Sequence, residues 1–241
     1  MLAAPILAGD WKRWVLAAEP GPRISVRPGR ATGAPPPPGP LALGQSEGRD
    51  GELYVPRDYR PDRPAPLVLA LHGAGGSGAH PVRHFAPLAD ELGALLVAPD
   101  SRGGTWDAIR GDFGPDVRFI SLALAATWSS VQVDPARVSV VGFSDGATYA
   151  LALGLANGEL FSRVAAFSPG FLIPVPEQGN PDLFISHGTQ DRILPINNCS
   201  RVIVPVLRRM GYRVDYREFK GGHTVPAEMA RDGLAVATRS N

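Results

Sequence analysis

The 241-residue chain is 44% apolar and carries 24 Lys plus Arg against 23 Asp plus Glu, with neither sign gathered into a block. That length and composition suit one domain with a substantial core, and the balanced charge argues against nucleic acid as a partner. A single cysteine, Cys199, excludes an intramolecular disulfide, and no run approaches the roughly 18 apolar residues needed to span a bilayer.

At the N-terminus "MLAAPILAGDWKRW" is broken by Pro5, Gly9 and Asp10 and lacks a signal-peptide pattern, so a cytoplasmic protein without stable membrane insertion is expected. Thirteen of the 25 prolines fall within the first 66 residues, including the run Pro35 to Pro38. Residues 1–48 therefore read as a Pro/Gly-rich arm, with a short docking helix over 10–19 capped by Asp10, and a catalytic-size domain over 49–241. Regular structure is expected to begin near "GELYVP" at 51–56.

From there short apolar runs predict strands over 66–71, 94–98, 138–143, 163–168, 182–186 and 213–219, each ended by Gly, Pro, Asp or Ser. Helical spacing falls between them, over 84–92, 116–131, 145–157, 197–210 and 226–238. Alternation of this kind predicts an α/β fold, a mostly parallel central sheet flanked by helices, with chemistry at the carboxyl ends of the strands.

The first such end, "LVLALHGAGGSGAH" (67–80), admits two readings: Gly73, Gly75 and Gly78 spell G-x-G-x-x-G, with Asp100 where a ribose-binding acid would stand. A more specific pattern follows at "VSVVGFSDGATYALAL" (138–153), where Gly142-Phe143-Ser144-Asp145-Gly146 is G-x-S-x-G between a strand and an alanine-rich helix. A sharp strand-to-helix turn exposes Ser144 Oγ beside a helix N-terminus, and the flanking glycines let strand and helix approach.

A serine hydroxyl is a weak nucleophile at neutral pH, so the turn calls for a base and an orienting acid later in the chain. "DLFISHGTQDRILPI" carries Asp191 after one strand, and "YREFKGGHTVPAEM" carries His223 after the next. In that order Asp191 holds the imidazole while His223 takes the Ser144 proton. The glycine run then supplies an oxyanion donor, the Ala74 N–H, alongside the N–H of Asp145. The dinucleotide reading leaves Ser144, Asp191 and His223 without a role and sets Pro81 and Pro87 inside its phosphate-binding helix; Asp100 is then a turn residue. His80 and His84 lack further ligands at metal spacing, and His72 and His187 read as supports for their loops. No cofactor and no metal is implied.

These stretches, together with "VAPDSRG" and "FKGGHTVP", resemble the α/β-hydrolase fold over about residues 51–238. More narrowly, the chain is similar to compact bacterial esterases related to polyhydroxybutyrate depolymerases, feruloyl esterases and the phospholipase/carboxylesterase group. The resemblance implies serine ester hydrolysis through an acyl-enzyme, with Ser144, Asp191, His223, Ala74 and Asp145 in the roles above. Two features depart from it: the arm, and Asp145, where many relatives carry Gln, Ala or Met.

Ser144 and Asp191 lie 47 positions apart and Asp191 and His223 lie 32 apart, too close for a large cap domain, so a shallow, open cleft is expected. Phe171, Leu172 and Ile173 are candidates for one wall and Trp106 for the other. Such a cleft suits aryl esters, short-acyl esters or a polyester chain; thioesters and amides use the same machinery, and an inactive binding protein on this fold is the competing class.

Overall fold

The computed structural model describes residues 21–240, so the helix expected over 10–19 lies outside the described residues. Among these, one sheet holds β1 Gly39–Ala42, β2 Gly51–Val55, β3 Ala65–Leu71, β4 Leu95–Pro99, β5 Val133–Phe143, β6 Arg163–Phe167, β7 Asp182–Gly188 and β8 Val214–Phe219. The spatial order is β1-β2-β4-β3-β5-β6-β7-β8. β2 runs antiparallel to β1 and β4, and every other pairing is parallel. The helices are α1 Ala79–Leu92, α2 Asp107–Arg110, α3 Pro115–Ser130, α4 Asp145–Ala156, α5 Ser200–Arg209 and α6 Ala227–Thr238.

Strands covered on both faces must be apolar throughout, and β3, β4 and β6 are buried at every position. Successive residues serve opposite layers. Leu67, Leu69, Val138, Val140 and Val164 pack with α3, α4 and α5, while Val68, Ala70, Val141, Ala165 and Phe184 pack with α1 and α6. At the far edge β8 alternates between exposed and half-buried positions, as an edge strand does. α5 shows a one-sided helix most clearly, burying Ser200, Ile203, Val204 and Leu207 at three- and four-residue spacing. α4 is buried from Gly146 to Ala156 all round, consistent with its alanine- and leucine-rich sequence.

Three expectations change. Among the described residues, regular structure begins at residue 39 rather than 51, because β1 pairs with β2 despite Pro40: an edge strand tolerates a missing N–H. The described part of the arm is also packed. Ile24 is fully buried, its N–H bonds to Asn157 Oδ1, and the N–H groups of Thr32 and Gly33 bond to Ser129 O. These anchors hold residues 24–33 at the C-terminal ends of α3 and α4, about 18 Å along α4 from Ser144. Finally, α1 starts at Ala79, not 84, and runs through both prolines. Pro81 occupies the first turn, where an N–H has no intrahelical partner, and Pro87 faces solvent. The prolines therefore do not by themselves exclude a helix after the glycine loop.

A close backbone approach fixes Gly146, where a Cβ would stand 2.3 Å from Leu71 O and 2.5 Å from His72 O. Gly146→Ala is expected to destabilise the fold by about 3 kcal/mol or to abolish soluble expression, since neither carbonyl can retreat. Gly29→Ala, at an exposed position where a Cβ meets nothing, should change the denaturant midpoint by no more than about 0.5 kcal/mol equivalent.

Candidate active site

The sharp turn between β5 and α4 forces Ser144 to φ 57°, ψ −122°, a backbone region that side-chain-bearing residues seldom occupy. Surrounding bonds hold it there: Ser144 N–H donates to Phe167 O at 2.9 Å, and Ser144 O accepts from the N–H groups of Ala147 and Thr148. The flanking glycines are sterically required. A Cβ at Gly142 would lie 2.1 Å from Gly146 O.

Asp191 lies in the loop after β7 and His223 in the loop between β8 and α6. The two loops are tied together by Thr189 N–H to Phe219 O at 2.8 Å and Gln190 N–H to Gly221 O at 2.9 Å. Gly188 permits this, because a Cβ there would stand 2.4 Å from the carbonyls of Gly221 and Gly222. Asp191 Oδ2 then accepts from His223 Nδ1 at 2.6 Å, and Ser144 Oγ lies 2.9 Å from His223 Nε2. The Asp191 side chain is buried. Burial alone would raise its pKa, but the N–H groups of Leu194 and Ile193 on Oδ1 and the His223 imidazole on Oδ2 hold it below the ordinary carboxylate value. The carboxylate therefore stays ionised at neutral pH, with the His223 ring set against Phe143 at 4.7 Å between centroids.

Two further imidazoles stiffen these loops. His72 Nε2 accepts the Ser101 N–H at 2.9 Å, which leaves Nδ1 to donate to Gly73 O at 2.7 Å. His187 sits within 2.8 Å of Leu194 O through Nε2 and 2.7 Å of Ser200 Oγ through Nδ1. Burial lowers the pKa of both, which fits neutral rings whose two nitrogens are spent on structure.

The glycine loop passes directly beside the serine: a Cβ on Gly73 would be 3.3 Å from Ser144 Cβ. Among the described residues neither the Ala74 N–H nor the Asp145 N–H has an acceptor, the latter because it opens a helix. Among the described residues the Asp145 carboxylate pairs with no arginine; Thr105 Oγ1 donates to its Oδ2 at 2.6 Å.

A cavity of about 250 Å³ opens on the α1 side of the site, lined by His80, His84, Phe85, Phe143, His223 and Val225 among others. Sequence reasoning missed this wall: His80 lies in a first turn that was not anticipated, and nothing in the helix expected over 84–92 showed that His84 and Phe85 would face the site. Trp106 is corrected: it is fully buried, stacked on Tyr149 at 5.2 Å with its Nε1–H on His72 O, so the core claims the face that a substrate would need. Phe171 is 46% exposed, while Leu172 and Ile173 pack partly against the core; none of the three borders the cavity.

The model of the phospholipase/carboxylesterase family matches residues 119–233. Feruloyl esterase C of Emericella nidulans is 27% identical over 163 residues, which are 64% of this chain and 59% of that enzyme. The chain thus spans about three fifths of the length of this relative. In the solved structures, esterase PE8 superposes with a TM-score of 0.62 at 21% identity, over 77% of this chain and 95% of PE8. FphF, a fluorophosphonate-binding serine hydrolase of Staphylococcus aureus, gives 0.65 at 15% identity, over 85% of this chain and all of FphF. The chain has the α/β-hydrolase fold. Within that fold it resembles the serine esterases.

The segment that follows β4 is held by two carboxylates, the buried Asp116 and the half-buried Asp107. Asp116 accepts the N–H groups of Arg102 and Asp107, and Asp107 accepts those of Gly114 and Asp116 and the Tyr149 hydroxyl. Burial, assisted by the neighbouring Asp107 charge, raises the Asp116 pKa from 3.8 to about 6. The folded chain then binds more protons than the unfolded one between these values, so this group's contribution to stability falls as pH rises from about 4 to about 6. Asp116→Asn should remove that downward contribution, so the denaturant midpoint is expected to rise more, or fall less, from about pH 4 to about pH 6.5 than in the wild type.

Proposed function

We propose that the protein is a cofactor-independent serine esterase in which Ser144, His223 and Asp191 form the catalytic triad. The observation that carries this reading is the continuous chain from Asp191 Oδ2 through His223 to Ser144 Oγ, at 2.6 Å and 2.9 Å, on a strained turn beside two unengaged backbone N–H groups. The esterase relatives support the same reaction class. As Ser144 Oγ attacks the ester carbonyl carbon, its proton passes to His223 Nε2, and Asp191 stabilises the imidazolium. The carbonyl oxygen becomes an oxyanion held by the N–H groups of Ala74 and Asp145. Collapse of the tetrahedral species returns the proton from His223 to the departing alcohol and leaves an acyl-serine. Water then gives a proton to His223 and attacks the acyl carbon, and the acid departs with Ser144 restored.

The substrate class is a small ester. One half enters the cavity beside His223, whose walls are mostly apolar: Phe85, Phe143 and Val225 with the edges of His80 and His84. A void of roughly 150 Å³ admits benzene, so 250 Å³ accepts a single aromatic ring with a short linker or a short acyl chain. The other half is left outside this cavity, and the exposed Phe171, in the loop after β6, is the candidate contact for a longer alcohol or a polymer chain.

Ser144→Ala is expected to lower kcat on p-nitrophenyl butyrate by about 10³-fold or more and to abolish the fluorophosphonate adduct seen by intact mass; Asp191→Asn should cost about 10³- to 10⁴-fold. A wild type that forms no adduct and turns over no ester, thioester or amide would overturn the proposal. Val225→Trp should depress kcat/KM for p-nitrophenyl butyrate more than for the acetate, by about tenfold or more, because it fills the cavity and leaves the triad in place.

A further inference from the structure

Both donors of an oxyanion hole must be fixed relative to each other, yet Ala74 and Asp145 stand on different segments, the loop after β3 and the first turn of α4. Three consecutive residues of a third segment, the loop between β4 and α2, bond to both. Gly104 O accepts the N–H of Gly75, next to Ala74, at 2.7 Å. Thr105 Oγ1 donates to the Asp145 carboxylate at 2.6 Å. Trp106 Nε1–H donates to His72 O, at the root of the glycine loop, at 2.8 Å, with the indole stacked between His72 and Tyr149. The loop is in turn anchored at its far end, where Asp116 accepts the N–H groups of Arg102 and Asp107.

The geometry points to Gly104-Thr105-Trp106 as a clamp that sets the spacing of the two oxyanion donors, with Thr105 the positioning residue and the Asp145 side chain its handle. This inference rests on the serine-esterase reading. It also gives the acidic side chain after Ser144 a purpose that its position in the turn does not require: a carboxylate so near a developing oxyanion opposes it, and the Thr105 hydroxyl both neutralises one lone pair and holds the group in one place. Trp106, misassigned above to a substrate wall, acts instead from within the core on the carbonyl of His72.

The clamp acts on the transition state and not on ground-state binding, which separates it from a loop that only stabilises the fold. The test uses wild type, Thr105→Val, Thr105→Ser, Asp145→Ala and the Thr105→Val/Asp145→Ala double variant. Each is measured for p-nitrophenyl butyrate kinetics and for inhibition by an aryl trifluoromethyl ketone, which adds to serine as a tetrahedral oxyanion. Thr105→Val is expected to lower kcat about tenfold with KM changed less than about twofold, and to weaken the ketone by the same factor as kcat/KM. Thr105→Ser, which keeps the hydroxyl, should restore both, and the double variant should be no worse than the poorer single.

Wild-type kcat and ketone affinity in a folded Thr105→Val, or losses that multiply in the double variant, would overturn the clamp while leaving the esterase reading intact. Absence of Ser144-dependent turnover in the wild type would overturn the reading itself and the clamp with it. Should Thr105→Val not fold, Asp145→Ala decides the matter alone. Removing the carboxylate charge by itself favours an oxyanion, so a loss of kcat there reports the lost bond, and a gain overturns the clamp.

Discussion

The close approach of three backbones, at the ends of β3 and β5 and the first turn of α4, is the constraint from which the site follows. Gly142 and Gly146 face backbone oxygens at distances that no Cβ tolerates. With those segments pressed together, Ser144 has no room for an ordinary turn and takes a positive φ. The strain persists because the neighbours over-determine it: β6 receives the Ser144 N–H, and the α4 backbone occupies its carbonyl. The side chain is thereby held at the C-terminal edge of the sheet, and the Asp145 N–H is left without an acceptor.

Around this point three histidines at strand ends have been given different fates by their surroundings. His72 and His187 are buried with both nitrogens engaged, and desolvation keeps them from charging. His223 has one nitrogen on a carboxylate and the other on a hydroxyl, and its side chain keeps 15% exposure. Of the three, it is the ring that contacts Ser144 Oγ. Asp191 completes the contrast, as a buried carboxylate whose charge is retained because backbone N–H groups and His223 outweigh its desolvation. The site is an arrangement of environments as much as of residue types.

Much of this was legible in the chain. Six runs of strand and five of helix were placed within a few residues, because central strands are apolar throughout and the helices keep their own period. The G-x-S-x-G turn, the aspartate and the histidine could be named because each ends a strand in turn. What failed had common causes. The Pro/Gly-rich arm hid a strand, because Pro40 stands on an edge strand where its missing donor costs nothing. Pro81 and Pro87 looked like helix breakers, but one sits in the first turn and the other faces water. Trp106 looked like a wall because aromatic residues in loops often are, and nothing local reveals that Tyr149, 43 positions on, will stack over it.

The sequence by itself determined the layers of the fold, the order of the strands along the chain and the strand ends at which Ser144, Asp191 and His223 stand, since each of these is encoded in local periodicity or in residues adjacent to a strand end. Only the tertiary structure decided that the loop after β4 bonds to both the loop after β3 and the first turn of α4, that the cavity lies on the α1 side, and that the described part of the Pro-rich arm packs at the far end of α4. Those relations join residues from about 30 to more than 130 positions apart. They are set by which surfaces are brought together when the core closes, and no pattern confined to one stretch of chain carries that information.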